Sequence, residues 1–288
     1  MKIYKKIFFA IFIFFLELSS SFLLKAGEEI VHIPSMVRKG EAYLIAINSI
    51  EKPEAYLGTK KLTPVKMKSG YAFFIAVDLD DSRKKEIFRI LSGETEKIYP
   101  LVFYDFKSRI RELYIPVTKN KFVGKSKEKE ASNQEVSEKR KIFSESLYFK
   151  ESFALPIKNI DPKEYFFGDK RNLYQNNKKI AVYFHRGVDF AMPKGTPVYA
   201  SNDGKILLAG NQFHRGNMVL IHHGGEIFTE YLHLEKVLAK EGQWVKKGDL
   251  IGKVGNTGVS TGHHLHWSFI IGGIWVNPFS WTNIKVMF

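Results

Sequence analysis

Short apolar runs separated by polar turn residues fill much of the chain after residue 27. In its first half, segments 42–47, 71–77 and 112–117 are rich in β-branched and aromatic residues, with Gly, Lys, Ser and Asp between such runs. Runs of this length and composition are typical of strands. We therefore predict a small β-sandwich-like domain over residues 27–117, and we find no catalytic constellation within it.

The second half repeats this pattern with closer turns. Glycines at short intervals separate its apolar runs, as expected for an antiparallel all-β domain. The fold class is therefore mainly β. The predicted strands are 197–200, 205–208, 217–222, 227–233, 250–254 and 264–271.

A charged segment separates the two β regions. Residues 118–150 include Lys-Glu-Lys-Glu at 127–130 and Glu-Lys-Arg-Lys at 138–141, with few apolar positions before residue 140. The segment is either a solvated helix or a flexible linker, and both interpretations make it a boundary. The second domain is then expected at 151–288.

The N-terminus has the order of a secretory signal. Lysines at positions 2, 5 and 6 precede an apolar run from 7 to 16, and Ser19-Ser20-Ser21 follow. The run is shorter than the ~20 residues that span a bilayer. We assign residues 1–26 as a signal peptide, and the alternative of an uncleaved N-terminal membrane anchor stays open. Both place the protein outside the cytoplasm, in the periplasm or cell envelope.

Composition narrows the chemistry. The chain has no cysteine, so disulfides, cysteine nucleophiles and thiolate metal ligands are excluded. The net charge of +14 favours an anionic partner. Anionic wall polymers fit an exported protein, whereas no RNA-recognition signature or zinc-finger spacing supports nucleic acid. The alternative is that the lysines only solvate the surface.

Eight of the nine histidines fall between His185 and His266. In a strand over 264–271, His264 and His266 point to one face, about 7 Å apart, while Leu265 and Trp267 point to the other. Both imidazoles could reach one metal ion, or one could bind the ion while the other serves the substrate.

A second pairing, His185 and Asp189, also places two side chains on one face of an extended segment. One imidazole and one carboxylate are two of the three protein ligands of a catalytic zinc site, and a third histidine would complete it. Taken alone, the pair could equally be a surface His near a surface Asp. His233 ends an apolar run and, if it is not a ligand, could transfer protons, because the pKa of histidine lies near neutral pH.

These segments together resemble one family. His185 to Asp189, Tyr231-Leu232-His233-Leu234 and the run from Gly255 to His266 are similar to the lysostaphin-like zinc endopeptidases, which include LytM-type domains. The resemblance covers about half of the chain, residues 151–288. It extends through connecting segments at 153–156, 168–171, 195–200, 203–205, 216–217, 223–224, 248–252 and 276–278.

The resemblance implies one zinc ion per chain, held by His185, Asp189 and His266, with His233 and His264 as the catalytic pair. It implies an antiparallel β fold with an open groove and hydrolysis of peptide bonds in bacterial peptidoglycan. Some relatives have lost the zinc residues and activate other wall hydrolases, so a non-catalytic activator is one alternative and a wall-binding module is another.

Two positions depart from the family pattern. Ser268 stands where relatives often have Glu, and His263 replaces a residue that is commonly smaller or proline. Neither change removes an implied ligand or catalyst. For His214, His222 and His223 we expect supporting or structural roles.

Overall fold

The computed structural model describes residues 33–49, 51–93, 95–114 and 126–282. The predicted signal peptide or anchor at 1–26 lies outside these residues. Within them, no helix combines the length and apolar character needed to cross a bilayer. The strands are β1 (Met36–Arg38), β2 (Ala42–Ile47), β3 (Glu54–Leu57), β4 (Lys60–Leu62), β5 (Val65–Met67), β6 (Gly70–Ala76), β7 (Lys85–Ser92), β8 (Thr95–Tyr104), β9 (Ile110–Tyr114), β10 (Ser144–Leu147), β11 (Lys170–Gln175), β12 (Lys178–Phe184), β13 (Val188–Ala191), β14 (Pro197–Tyr199), β15 (Gly204–Gln212), β16 (Gly216–His222), β17 (Gly224–Gly225), β18 (Ile227–Val237), β19 (Trp244–Val245), β20 (Leu250–Val254), β21 (His264–Ile271) and β22 (Ile274–Val276); the helices are α1 (Lys127–Lys139) and α2 (Pro278–Thr282).

Two five-stranded sheets contain the N-terminal strands β1–β8, and one of these sheets also includes β10 and β17. One has the order β1-β8-β7-β3-β4, and the other has the order β17-β10-β5-β6-β2. Buried side chains from both sheets, among them Phe73, Ile75 and Phe88, form one apolar cluster between them. This arrangement is the sandwich-like region expected from the sequence.

Strand β6 is buried on both faces. Its successive side chains point to opposite faces, and each face packs into a different apolar cluster. Phe73 and Ile75 point into the sandwich. Phe74 and Ala76 point the other way, into a second cluster shared with the C-terminal half, where Phe74 contacts Trp281 at a ring distance of 5.9 Å. The two halves therefore share a core.

The C-terminal half is built on a nine-stranded sheet. Its main path is β13-β21-β18-β16-β15-β19, and β14, β20 and β22 attach beside it. The pairings within this sheet are antiparallel. The predicted mainly β fold is therefore confirmed, and the bounds of β20 and β21 match the sequence prediction.

The charged segment contains a helix with a buried face. Ser126 begins α1 by accepting a hydrogen bond from the Lys129 amide, as an N-cap residue does. Val136 is fully buried against the face of the sheet that carries Met218 and Leu220. Of the two interpretations offered by the sequence, the structure shows a helix. Val136 is its buried apolar residue, and a single valine among so many charged residues gives no visible apolar pattern in the sequence.

Strand β9 crosses from one half to the other. The sequence grouped residues 112–117 with the first domain, but β9 pairs in parallel with β11 over five residue pairs, from Ile110↔Lys170 to Tyr114↔Tyr174. A strand's own composition does not identify its partner, so this pairing could not be predicted from the pattern. Residues 115–117 lie outside the described part of the chain.

Candidate metal centre

Two neighbouring strands bring together side chains that are distant in sequence. Strands β13 and β21 are antiparallel, and Asp189 pairs directly with His266. His185 lies just before β13. Gly187 allows the close approach, because a Cβ atom there would lie 2.5 Å from the His266 ring. The ring could not occupy its position if residue 187 had a side chain.

Three atoms converge at this point. His185 Nε2 lies 3.0 Å from His266 Nδ1 and 3.2 Å from Asp189 Oδ1, and the last two atoms are 2.8 Å apart. Two ligand atoms of a tetrahedral zinc ion are about 3.3 Å apart when each metal bond is about 2.0–2.1 Å long. The donor set therefore fits one small metal ion that prefers nitrogen and oxygen ligands, with a slight expansion of the triangle.

Hydrogen bonds fix the ring of His266. The Ser268 hydroxyl donates to the Arg186 carbonyl oxygen at 2.9 Å, so it accepts from His266 Nε2 at 2.8 Å. With the proton on Nε2, the lone pair is on Nδ1, which faces Asp189. Ser268 therefore sets the tautomer that a metal ligand requires, the role that outer partners of ligating histidines usually have.

The other ligand atoms have different surroundings. Arg171 donates from Nη2 to Asp189 Oδ2 at 2.7 Å, which leaves Oδ1 directed at the histidines. His185 Nδ1 is buried and has no hydrogen-bond partner among the described residues. A proton on this nitrogen leaves the Nε2 lone pair toward the centre.

The sequence predicted that the two histidines of β21 would share a face opposite Leu265 and Trp267. Both apolar side chains are fully buried in the shared core, while the histidines line the opposite side. His264 donates from Nδ1 to the Gly262 carbonyl at 3.0 Å, and its Nε2 lies 3.7 Å from Asp189 Oδ1. His264 thus stands beside the triangle, with a free Nε2.

His233 reaches the same side through an irregularity in β18. Asn217 pairs with Leu234 but Val219 pairs with Tyr231, so an extra residue is inserted opposite Met218. His233 has φ of 64°, a conformation that non-glycine residues rarely adopt. Strict alternation would send His233 into the core with Tyr231, but this β-bulge turns it toward the groove.

The bulge is held by two hydrogen bonds. The His233 amide donates to the Arg215 carbonyl oxygen at 3.1 Å, and His233 Nδ1 donates to the Thr257 carbonyl oxygen at 2.8 Å. Its ring centre is 4.8 Å from that of His264. The structure therefore brings all five residues implied by the resemblance into one site.

Burial lowers the pKa of two of the five side chains, His185 and His233, and keeps both rings neutral. It lowers the pKa of His185 to about 4, against a partial opposing effect of Asp189. Burial, reinforced by His264 and His266, lowers the pKa of His233 to about 3. For Asp189 burial alone would raise the pKa, but His185 and His266 outweigh it and hold that pKa well below its usual range. Near neutral pH Asp189 is therefore an anionic carboxylate and His185 a neutral imidazole, the states in which these groups ligate metals.

The site opens into a groove of about 460 Å³. Its walls include Leu113 from β9, Arg140 from the end of α1, and Arg171 from β11. Arg140 donates to the buried carboxylate of Glu230 and lies over the ring of Trp275. The sequence motifs indicated no role for these three side chains: Leu113 and Arg140 lie in segments without chemical motifs, and Arg171 lies in a connecting segment of the resemblance, 168–171.

Three remaining histidines differ in their surroundings. His214 lines the groove, and its Nδ1 is buried without a partner among the described residues. His222 donates from Nε2 to the Gly225 carbonyl at 3.0 Å, and His223 donates from Nδ1 to the Asp203 carbonyl at 2.7 Å. None of the three belongs to the convergent triangle.

Comparisons with known proteins agree with this geometry. The model of peptidase family M23 matches residues 183–278. The chain is 50% identical over 109 residues to peptidoglycan DD-endopeptidase ShyA of Vibrio cholerae, covering 38% of this chain and 25% of that protein. It is 48% identical over 96 residues to the DD-carboxypeptidase/endopeptidase Mpg of Neisseria meningitidis, covering 33% and 22%.

The chain therefore spans about a quarter or less of the length of these curated relatives. A crystal structure from Pseudomonas aeruginosa assigned to peptidase M23 aligns with 85% of this chain and 93% of that one, with a TM-score of 0.54 and 22% identity, which shows the shared fold. Residues 183–278, which hold the convergent triangle and both neighbouring histidines, thus match peptidase family M23.

Proposed function

We propose that this protein is a zinc-dependent endopeptidase that hydrolyses peptide bonds in bacterial peptidoglycan. The observation that carries the proposal is the triangle of His185 Nε2, Asp189 Oδ1 and His266 Nδ1, with sides of 2.8–3.2 Å, beside two histidines that have free Nε2 atoms. The names of the relatives as peptidoglycan DD-endopeptidases supply the substrate class.

In this proposal His185, Asp189 and His266 hold one zinc ion per chain. When bound, zinc supplies Lewis acidity, which activates water and polarises a carbonyl group. Three protein ligands are the number typical of catalytic rather than structural zinc sites. Arg171 and Ser268 orient two of the ligands.

Two histidines can accept the proton that the attacking water loses. His264 and His233 donate from Nδ1 to carbonyl oxygens, so their Nε2 atoms are acceptors directed into the groove. Either can take a proton from the attacking water and return it to the departing amine. The rigid attachment of both Nδ1 atoms keeps the acceptors in place through this cycle.

The metal part of the proposal is tested by elemental analysis of purified protein and by chelation. We expect about one zinc per chain, and we expect hydrolysis to stop when zinc is removed and to return when zinc is added. Full activity after complete removal of metal would contradict it.

The catalytic part is tested on defined muropeptides by mass spectrometry of the products. Wild-type protein should release peptide fragments, and the His264→Ala variant should not. If purified wild-type protein releases none but stimulates a second wall hydrolase, the activator alternative is correct. If it only binds wall, the wall-binding alternative is correct.

Localisation and wall attachment are part of the same proposal. Peptidoglycan lies outside the cytoplasm, which supports export through the 1–26 segment. The +14 charge supports attachment to anionic wall polymers. Cell fractionation tests export. Attachment predicts that binding to purified wall weakens as the salt concentration rises, because screening shortens the range of electrostatic attraction to about 8–10 Å near physiological ionic strength.

A further inference from the structure

The groove contains an unbalanced positive charge. Four arginines of the described residues line it, and three of them have carboxylate partners. Arg171 pairs with Asp189 and Arg140 with Glu230, while Arg186 reaches Asp78 and Asp80 of the N-terminal half. Arg215 is the fourth.

Arg215 has no carboxylate partner within salt-bridge distance among the described residues. Among the described residues, its side chain donates one hydrogen bond, from Nη1 to the Asn133 amide oxygen of α1 at 3.0 Å. Residues 115–125, which precede α1 in the sequence and lie outside the described part of the chain, include no acidic residue. A guanidinium has five N–H donors in a planar fork, so most of its hydrogen-bonding capacity is unused by the residues that the structure describes.

The surroundings make this charge costly. Burial lowers the pKa of Arg215, with Arg140 acting in the same direction and Glu230 against it. Beside it, burial and the charge of Arg215 lower the pKa of His214 to about 4. A half-buried guanidinium next to a neutral imidazole is stabilised when an anion enters.

The position of Arg215 links it to the chemistry. It lies in the turn between β15 and β16, and its own carbonyl oxygen accepts the hydrogen bond from the His233 amide that holds the bulge. Nearby, a Cβ atom on Gly216 would lie 2.4 Å from Thr257 Oγ1, so the turn is packed closely against the loop that also binds His233 Nδ1. The guanidinium is therefore attached to the same backbone that aims a catalytic histidine.

We infer that Arg215 is a substrate-binding residue that recognises a carboxylate of the bound wall peptide, with Asn133 orienting its guanidinium. The inference rests on the proposed function for its substrate class. The fork of an arginine matches the two oxygens of a carboxylate, which gives direction as well as attraction. A peptide with its carboxylate at Arg215 is held in one register relative to the metal centre.

The test compares one wall peptide with versions amidated at the terminal carboxylate or at the side-chain carboxylate. For full-length wild-type protein, amidation at the recognised position should raise KM about 10- to 100-fold, because a hydrogen bond to a charged group is lost. Amidation at the other position should leave KM unchanged. If neither amidation changes KM, the inference is wrong.

Arg215→Gln should abolish this discrimination by raising KM for the acidic peptide to that of the amidated one, with kcat nearly unchanged. Arg215→Lys retains the positive charge but not the planar guanidinium, and it should restore part of the discrimination between the acidic and the amidated peptide. Arg89→Gln is the matched control, since Arg89 lies on β7 in the other half of the molecule and pairs with Glu96. An equal rise in KM for acidic and amidated peptides in Arg215→Gln would contradict a carboxylate site.

Calorimetric binding of the same peptides to metal-stripped full-length protein separates this inference from the proposed function. Tighter binding of the acidic peptide by wild type than by Arg215→Gln supports the site, even if no hydrolysis occurs. Equal binding by both proteins overturns it, even if hydrolysis is confirmed.

Discussion

The C-terminal sheet carries two groups of histidines, one on each face of β18. On the groove face, His233, His264 and the three candidate ligands leave nitrogen and oxygen atoms free toward one another. On the core face, His223 has both ring nitrogens engaged, because Nδ1 donates to the Asp203 carbonyl and Nε2 lies 2.7 Å from the Thr229 hydroxyl. That hydroxyl is 3.0 Å from the Tyr231 hydroxyl, which completes a buried network.

Burial and pKa do not separate His223 from His233, since both side chains are buried. His223 is fully buried, and burial lowers its pKa to about 3, the same value as for His233. The difference lies in lone pairs. Both ring nitrogens of His223 are bound within the core, whereas the Nε2 atom of His233 is directed into the groove, where it is available to a substrate.

The largest expected effect comes from the candidate ligands. His266→Ala and Asp189→Ala should each abolish zinc binding and hydrolysis, because two protein ligands no longer define the site. Zinc per chain, measured after dialysis, checks this. His263→Ala is the matched control, since that histidine is exposed just before β21, and this variant should retain the metal. Zinc retained by both ligand variants would show that the triangle is not the metal site.

The next effect separates ligands from catalysts on the same face. His233→Ala and His264→Ala should keep zinc and fold but lose on the order of 10²–10⁴-fold in kcat, the usual contribution of a positioned acid or base. Measuring zinc content and kcat on the same samples checks the prediction. Near-normal turnover in both variants would assign proton transfer elsewhere.

A smaller effect should follow from the hydroxyl behind His266. Ser268→Ala removes the acceptor for Nε2–H, so both the tautomer and the ring orientation lose their support. We expect zinc affinity to fall about 10- to 100-fold, as for other outer partners of ligating histidines. Competition with a chelator of known affinity measures the change. Ser260→Ala, in the preceding loop, is the control, because His264 retains the Gly262 carbonyl as partner there. Equal zinc affinities in the two variants would exclude the role of Ser268.

His223, on the core face, should affect the pH dependence of the free energy of unfolding rather than the binding of metal. The pKa of His223 is about 3 in the folded protein against 6.5 for the free group. Between these values the unfolded chain binds one more proton than the folded chain does at this position. Its contribution to stability is therefore fully present above pH 6.5 and is lost as pH falls toward 3, at about 1.4 kcal/mol per pH unit.

Urea unfolding of metal-free protein at several pH values measures this contribution. His223→Gln cannot titrate, so its free energy of unfolding should depend on pH less steeply than that of wild type by about one proton, even though its absolute stability is lower. His263→Ala should give a slope parallel to wild type. A wild-type slope in the Gln variant would mean that His223 does not titrate on unfolding.

The sequence was sufficient where local pattern determines structure. Strand β21 and the opposite faces of His264 and Leu265 follow from period-two alternation, and the observed strand has the predicted bounds. The bulge at His233 was not predictable in this way, because alternation places that ring in the core. It depends on an extra residue opposite Met218, which only the pairing of two strands reveals.

The groove walls were not predictable for a related reason. Arg140 follows a highly charged helix, and its contact with Glu230 joins residues 90 positions apart. Arg215 sits in an ordinary turn. The roles of Arg140 and Arg215 depend on the charged groups that surround them in the folded protein. The order of residues along the chain gives little information about these neighbours.

Strand β10 has a mechanical consequence. It pairs with β5 through Ser146↔Lys66 on one edge and with β17 through Ser144↔Gly225 on the other, so main-chain hydrogen bonds run from one half of the molecule into the other. Together with the β9–β11 pairing, these hydrogen bonds connect the two halves rigidly at several separate points. A force applied to the N-terminal half would turn the groove with it, so the point of attachment would fix the direction in which the groove faces.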